Sequence, residues 1–198
     1  MSDTFFATMW RMKYIERWAL MRSSRNESLS EHSLDVAMIA HALCTIGNER
    51  LHKNLNAERA VLIALYHDAA EIITGDMPTP VKYGSPEMKA AYADAEKQAL
   101  KRLLKKLPDD LRPVYQKILD PDPEAEDPYV LKLVKAADKL SALIKCIEEE
   151  TSGNREFHTA MCTSKKAVDQ LCTELPEVRI FTDTFLPHYG STLDELLT

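Results

Sequence analysis

Five glycines in 198 residues are few, and that scarcity constrains the fold more than any other feature. It stands beside abundant Ala, Leu, Glu and Lys and apolar positions that recur three and four residues apart. The pattern predicts an all-α chain rather than alternating strands and helices, with no strand run of any length. A first helix is expected over residues 5–19, followed by a polar stretch at 22–30. Ser28-Leu29-Ser30-Glu31 has the spacing of a capping box and opens a second helix reaching about Ile46. Asn56 is the expected cap of a third, which passes through AVLIALYHDAAEIIT and ends at Gly75. Residues 75–80 then form a loop. A charged amphipathic helix is expected over 86–107 and a shorter one over 110–119, before an acidic, proline-containing loop at 120–127. Asp127 and Pro128 begin a long helix through YVLKLVKAADKLSALIKCIEEE. One more helix over 156–174 and an irregular end from 180 complete a single domain, 1–198.

Composition narrows the function classes. At 45% hydrophobic and 28% charged residues, the chain has the apolar material for a sizeable core. A net charge of -6 gives no electrostatic reason for a polymeric nucleic acid partner, whereas a small phosphate ester needs only a few local cations. Cys44, Cys146, Cys162 and Cys172 are widely spaced without a CxxC pair, and are expected to be reduced core thiols. The N-terminus lacks the apolar run of a signal peptide, and no stretch offers about 18 consecutive apolar residues for a membrane span. The expected location is cytoplasmic.

The third helix carries the chemistry. Residues 60–66 are apolar on nearly every face, which marks a buried helix, yet His67, Asp68 and Glu71 follow at once. Buried carboxylates need hydrogen bonds, an ion pair or a metal. Glu71 lies three residues from Asp68 and four from His67, so it projects beside the same spot. Two further candidates stand on other buried helices: His32 near the start of the second and Asp138 in the middle of the long one. Taken singly each has a plainer reading, His32 as a core imidazole bonded to a carboxylate and Asp138 as a partner of Lys135 or Lys139. Together they are two imidazoles and two carboxylates on three buried helices, a donor set that suits Mn, Co, Fe or Zn and leaves room for water. His41, nine positions after His32, falls on the opposite face and reads as structural or interfacial. His52, His158 and His188 read as exposed, Glu148 to Glu150 as a solvated face, and Lys82 as a solvated lysine.

The order EHS, HDAAE, KAADKL resembles the HD-domain phosphohydrolase superfamily. The segments ERWALMR, SEHSLDVAMIAHAL, LIALYHDAAEIITGDMPTPVKY and LVKAADKLSALIKCIEE are similar to the bacterial HD-domain 5′-deoxynucleotidases of the YfbR type. The resemblance is strong over 5–83 and 130–150 and weak over 84–127 and beyond 155. It implies a helical bundle around a divalent ion held by His32, His67, Asp68 and Asp138, with Glu71 acting through the nucleophilic water. It also implies that Arg17, Trp18, Asp76 and Thr79 contact substrate. An Arg fork suits phosphate, an indole walls a sugar, and Asp76 accepts from a hydroxyl. Without it, Arg17 and Trp18 read as an ion-pair partner and a core anchor, and Asp76 as a turn residue. The function so implied is hydrolysis of deoxyribonucleoside 5′-monophosphates by a homodimer. The rivals are a phosphodiesterase or triphosphohydrolase on the same site, and a non-catalytic nucleotide-binding helical protein with a structural ion.

Overall fold

A computed structural model describes residues 3–82 and 84–198; Met1, Ser2 and Tyr83 of the expected 1–198 unit lie outside the described residues. The chain opens with α1 (Phe5–Met9) and a 3₁₀ turn, Trp10–Tyr14. The helix expected to run to residue 19 ends there. Glu16–Arg17 (β1) pairs antiparallel with Glu27–Ser28 (β2), placing Arg17 opposite Glu27. Between them Trp18 takes a φ of 59°, a left-handed conformation that costs a non-glycine residue about 1–3 kcal/mol. The bend has a physical cause: it gives Arg17 and Trp18 a shared buried partner that a continuing helix would deny them.

The predicted capping box is formed. Ser28 Oγ accepts from the Glu31 backbone N–H at 3.3 Å and Glu31 Oε2 accepts from that of Ser28 at 2.8 Å, opening α2 (Leu29–Leu51), which His52 ends at φ 54°. Asn56 caps α3 (Ala57–Tyr66) through its Oδ1, 2.9 Å from the Arg59 N–H. The expected unbroken helix to Gly75 is interrupted at 67–70, and α4 (Glu71–Thr74) resumes it. Across the break Ala69 N–H donates to Tyr66 O at 3.0 Å and Glu71 N–H to Asp68 O at 2.9 Å. These three-residue spacings turn successive side chains by about 120° rather than 100°. Gly75, at φ 75°, ends α4 in a conformation that glycine adopts without strain.

The expected loop at 75–80 closes into a helical turn, α5 (Thr79–Lys82). Next come α6 (Pro86–Leu104) and α7 (Arg112–Leu119), then α8 (Pro128–Thr151), capped by Asp127 Oδ1 on the Tyr129 N–H at 2.8 Å. A 3₁₀ turn, Arg155–Phe157, leads into α9 (His158–Glu174). The end expected to be irregular is largely ordered as α10 (Pro176–Thr184), a 3₁₀ turn and α11 (Leu193–Leu197). Pro176 starts α10 as a first-turn proline, and Val178 and Phe181, three apart, bury one face of it.

The main core packs α2 against α3, α8 and α10, with α9 on α8. Leu43, Leu133 and Leu140 are fully buried within it, each worth about 1.5–3 kcal/mol of transfer free energy. A second cluster gathers Phe5, Ala69, Leu103, Leu107 and Leu119 under α1, α6 and α7. The 67–70 break lies at the seam between them, since Ala64 belongs to the first and Ala69 to the second.

Three expectations about single residues change. Cys44, Cys146 and Cys172 are buried free thiols, but Cys162 is exposed. Glu149, expected on a solvated face, is fully buried; it accepts from Lys145 Nζ at 2.5 Å, the Ser24 N–H at 2.8 Å and Asn154 Nδ2 at 2.7 Å. Lys82 is paired with Glu96 at 2.8 Å and lies over the Tyr92 ring. Among the described residues no helix is long and apolar enough to cross a membrane.

Candidate metal centre

The capping box that starts α2 puts His32 one turn inside the helix and wholly buried, while the tightened turn after α3 aims His67 and Asp68 back at it. Ligand atoms of His32, His67 and Asp68 all lie within 4.8 Å of one another. The two imidazole rings stand 5.3 Å apart, centroid to centroid. Asp138, from the middle of α8, brings Oδ1 to 3.2 Å from His32 Nε2. The four residues predicted as ligands therefore converge from α2, the 67–70 turn and α8.

The ring nitrogens report what the group is for. His67 Nδ1 donates to the Ala64 carbonyl at 2.7 Å, which leaves Nε2 as a bare acceptor directed at the cluster. The Nε2 atoms of His32 and His67 are both buried without a hydrogen bond. Asp68 Oδ2 lies 3.0 Å from His67 Nε2 and 3.6 Å from His32 Nε2, close enough for charge attraction but without donor geometry. Buried ring nitrogens rarely go unpartnered, and a divalent cation among two imidazoles and two carboxylates satisfies all of them. His32 has a choice of state: Arg17 Nη1 sits 2.5 Å from its Nδ1, and Ser141 Oγ lies 3.1 Å from the same atom. An arginine only donates, so the ligand tautomer of His32 requires Nδ1–H to turn to Ser141 while Arg17 keeps Glu27 Oε1, 3.0 Å away. The residues present fit a divalent ion.

Electrostatics follow the same geometry. Burial alone would lift Asp138, but the His32 imidazole 3.2 Å away, Lys139 (2.9 Å) and the nearby His67 ring outweigh it and hold the carboxyl well below its ordinary range. The plain pairing of Asp138 with Lys139 thus exists alongside its approach to His32. Burial lowers His67, yet Asp68 and Asp138 more than reverse that and raise it. Glu71 goes the other way: burial, then repulsion from Asp68 and Asp76, pushes it up to about 9. Its Oε2 is buried without a hydrogen bond.

The four residues expected at substrate are placed unequally. Arg17, 12% exposed at its side chain, is surrounded by the carboxylates of Glu27, Asp138, Asp68 and Asp76, which hold it above its ordinary range against the opposing effect of burial. Trp18 donates Nε1–H to Glu27 Oε2 at 2.9 Å and tilts against Phe157, 5.3 Å between centroids. Asp76 is raised by burial, with the Arg17 charge and the Trp18 backbone N–H opposing. Thr79 is exposed at the first turn of α5, and among the described residues no interaction joins it to the cluster. Sequence reasoning missed Glu27 and Ser141. Both are defined by contacts with residues distant in sequence, and neither stands in a pattern that marks it.

The family model for the 5′-deoxynucleotidase YfbR-like family matches residues 4–189. A 5′-deoxynucleotidase of Erwinia tasmaniensis is 45% identical over 97% of this chain and 95% of its own. Among solved structures, an HD-domain phosphohydrolase from Listeria innocua superposes with a TM-score of 0.82 at 23% identity, covering 98% of this chain and 92% of the other. A cyanophage S-2L HD phosphohydrolase bound to dA and one catalytic Zn²⁺ ion aligns with a TM-score of 0.51 at 23% identity, over 71% of this chain and 69% of that one.

Proposed function

Because the chain belongs to the YfbR-like 5′-deoxynucleotidase family, we propose that it hydrolyses deoxyribonucleoside 5′-monophosphates to deoxynucleoside and phosphate at the centre formed by His32, His67, Asp68 and Asp138. The observation that carries the reading is the pair of buried, unpartnered Nε2 atoms on His32 and His67 facing the Asp68 carboxylate. His32, His67, Asp68 and Asp138 would hold a divalent ion, which would supply Lewis-acid charge at the phosphate and lower the pKa of water. Zn, Co, Mn and Fe suit two imidazole nitrogens and two carboxylates, and the zinc of the cyanophage enzyme supports that range.

The chain's own residues do the rest. Glu71 Oε2, buried and unbonded, accepts the proton of the attacking water. A carboxylate whose surroundings favour the protonated form this strongly is an effective base once ionised. As the water oxygen bonds to phosphorus and the P–O5′ bond breaks, that proton passes to the leaving 5′ oxygen, and no covalent enzyme intermediate forms. Arg17 offers its guanidinium to the phosphate oxygens, where charge is greatest in the transition state. Trp18 supplies an apolar wall at the sugar, against which a ribose 2′-hydroxyl would be left without a partner. Asp76 accepts from a sugar hydroxyl, and Thr79 offers its hydroxyl to the substrate.

The rest of the reading is a single 1–198 unit acting as a homodimer in the cytoplasm on small nucleotides rather than polymeric nucleic acid. The test is release of the nucleoside, resolved by chromatography, from dAMP, AMP, 3′-dAMP and dATP in parallel. Release from dAMP with little from AMP or 3′-dAMP is expected. Faster turnover of dATP than of dAMP would favour a triphosphohydrolase, and release from none of the four would contradict the reading.

A further inference from the structure

We infer that Glu27 is a positioning residue for substrate selection: one buried carboxylate holds Arg17 by one oxygen and Trp18 by the other, placing the phosphate contact and the sugar wall as one unit. This rests on the proposed substrate roles of Arg17 and Trp18.

The geometry is specific to that task. Glu27 is 7% exposed. Its Oε1 accepts from Arg17 Nη1 at 3.0 Å and its Oε2 from Trp18 Nε1 at 2.9 Å. The β1–β2 pairing sets Arg17 directly across from Glu27, so the backbone register delivers the carboxylate to both side chains. Oε1 also lies 3.5 Å from His32 Nδ1, which brings the anchor to the edge of the metal centre. Trp18 needs such an anchor, because its left-handed backbone is a strained conformation that persists only where its surroundings over-determine it. A counter-charge for Arg17 alone would not have to reach the indole nitrogen.

The far end of the segment between the strands is tied down separately. Lys145 Nζ donates to the Arg25 carbonyl at 2.7 Å, Asn154 Nδ2 to the Arg22 carbonyl at 2.6 Å, and the Ser24 N–H to Glu149 at 2.8 Å. With the far end held by α8 and its neighbouring turn, Glu27 controls the near end, where the two contacting side chains lie. Without it, the indole keeps Phe157 and the Arg17 guanidinium, 5.3 and 5.9 Å from its centroid, but loses its hydrogen bond and can withdraw from the space a 2′-hydroxyl would fill. Arg17 is then left to the carboxylates of the metal centre and away from phosphate.

The test uses Trp10→Phe as the parent, since Trp10 is 72% exposed and its removal leaves Trp18 as the only tryptophan. In metal-loaded Trp10→Phe/Glu27→Ala, KM for dAMP should rise about tenfold and the dAMP-to-AMP ratio of kcat/KM should fall about tenfold, on the scale of one lost charge-assisted bond. Trp18 emission should shift to the red, and kcat should fall along with the rise in KM, because Arg17 is drawn from the phosphate. Glu27→Gln, which keeps the shape but can accept from only one of the two donors at a time, should fall between parent and alanine variant and serves if the alanine variant fails to fold. An unchanged substrate ratio and unchanged emission in folded, metal-loaded variants would overturn the role of Glu27. Equal losses on dAMP and AMP would also overturn it, by showing general damage. If the parent itself does not hydrolyse dAMP, it is the proposed function that fails.

Discussion

Two buried carboxylates in this protein titrate in opposite directions. Glu149, near the C-terminal end of α8, is fully buried, accepts from Lys145, Ser24 and Asn154, and is held down at about 2 against the cost of burial. Glu71, at the start of α4, is 6% exposed, leaves Oε2 without a donor, faces Asp68 and Asp76, and is pushed up to about 9. Burial is common to both; the supply of donors differs. A carboxylate given all its donors anchors a loop. One deprived of them, next to a cluster of unpartnered imidazole nitrogens, holds its proton tightly and is a strong base once ionised.

The largest effects come from removing each carboxylate in turn. Glu71→Gln should lower kcat on dAMP by roughly 10²–10⁴, the usual contribution of a positioned general base, while the metal-free protein melts no lower than wild type. Phosphate-release kinetics together with thermal melting check this; full turnover in the variant would remove Glu71 from the mechanism. Glu149→Ala should do the reverse. Breaking a buried pair costs about 3–5 kcal/mol, seen as a lower midpoint in urea, with kcat per folded, metal-loaded molecule within a few-fold of wild type.

A finer distinction lies in pH. Glu149 is depressed from its ordinary 4.5 to about 2, so its contribution is complete above 4.5 and is lost as pH falls toward 2. That amounts to roughly 3 kcal/mol, and Glu149→Gln should flatten the corresponding stretch of the stability curve. Glu71 is raised, so the folded metal-free protein binds the extra proton between 4.5 and about 9 and loses stability as pH climbs through that window. Glu71→Gln should make metal-free stability less dependent on pH there, and urea midpoints at pH 5, 7 and 9 would show it. A steeper slope in the variant would contradict the assignment.

The same contrast explains what was legible in the sequence. His67, Asp68 and Glu71 stood out because they interrupt an apolar run, and the capping box at Ser28 placed His32 correctly. Asp138 was visible as a charge among apolar helical positions. Glu149 was misread because all of its outside donors come from distant segments or a later turn, leaving only Lys145 on its own helix, and an acidic run at a helix end looks solvated. Glu27 and Ser141 escaped for the same reason. The break at 67–70 was hidden because neither glycine nor proline marks it and Ala69 and Ala70 favour helix; the tightened turn that brings His67 and Asp68 to His32 is a tertiary feature. The β1–β2 pair is two residues long, too short for any alternation to register, and the strain at Trp18 is offset by partners nine and more residues away. Beyond residue 174, the Pro176 signal and the Val178–Phe181 spacing were present, but in a segment too short to assign by periodicity.

The most direct test of the central claim is a cobalt titration of metal-stripped protein, following bound metal and phosphate release from dAMP in the same samples. Both should rise together to one ion per chain, and His67→Ala should lose both. Hydrolysis of dAMP that is equally fast before cobalt is added, or that survives in His67→Ala without bound metal, would contradict the account.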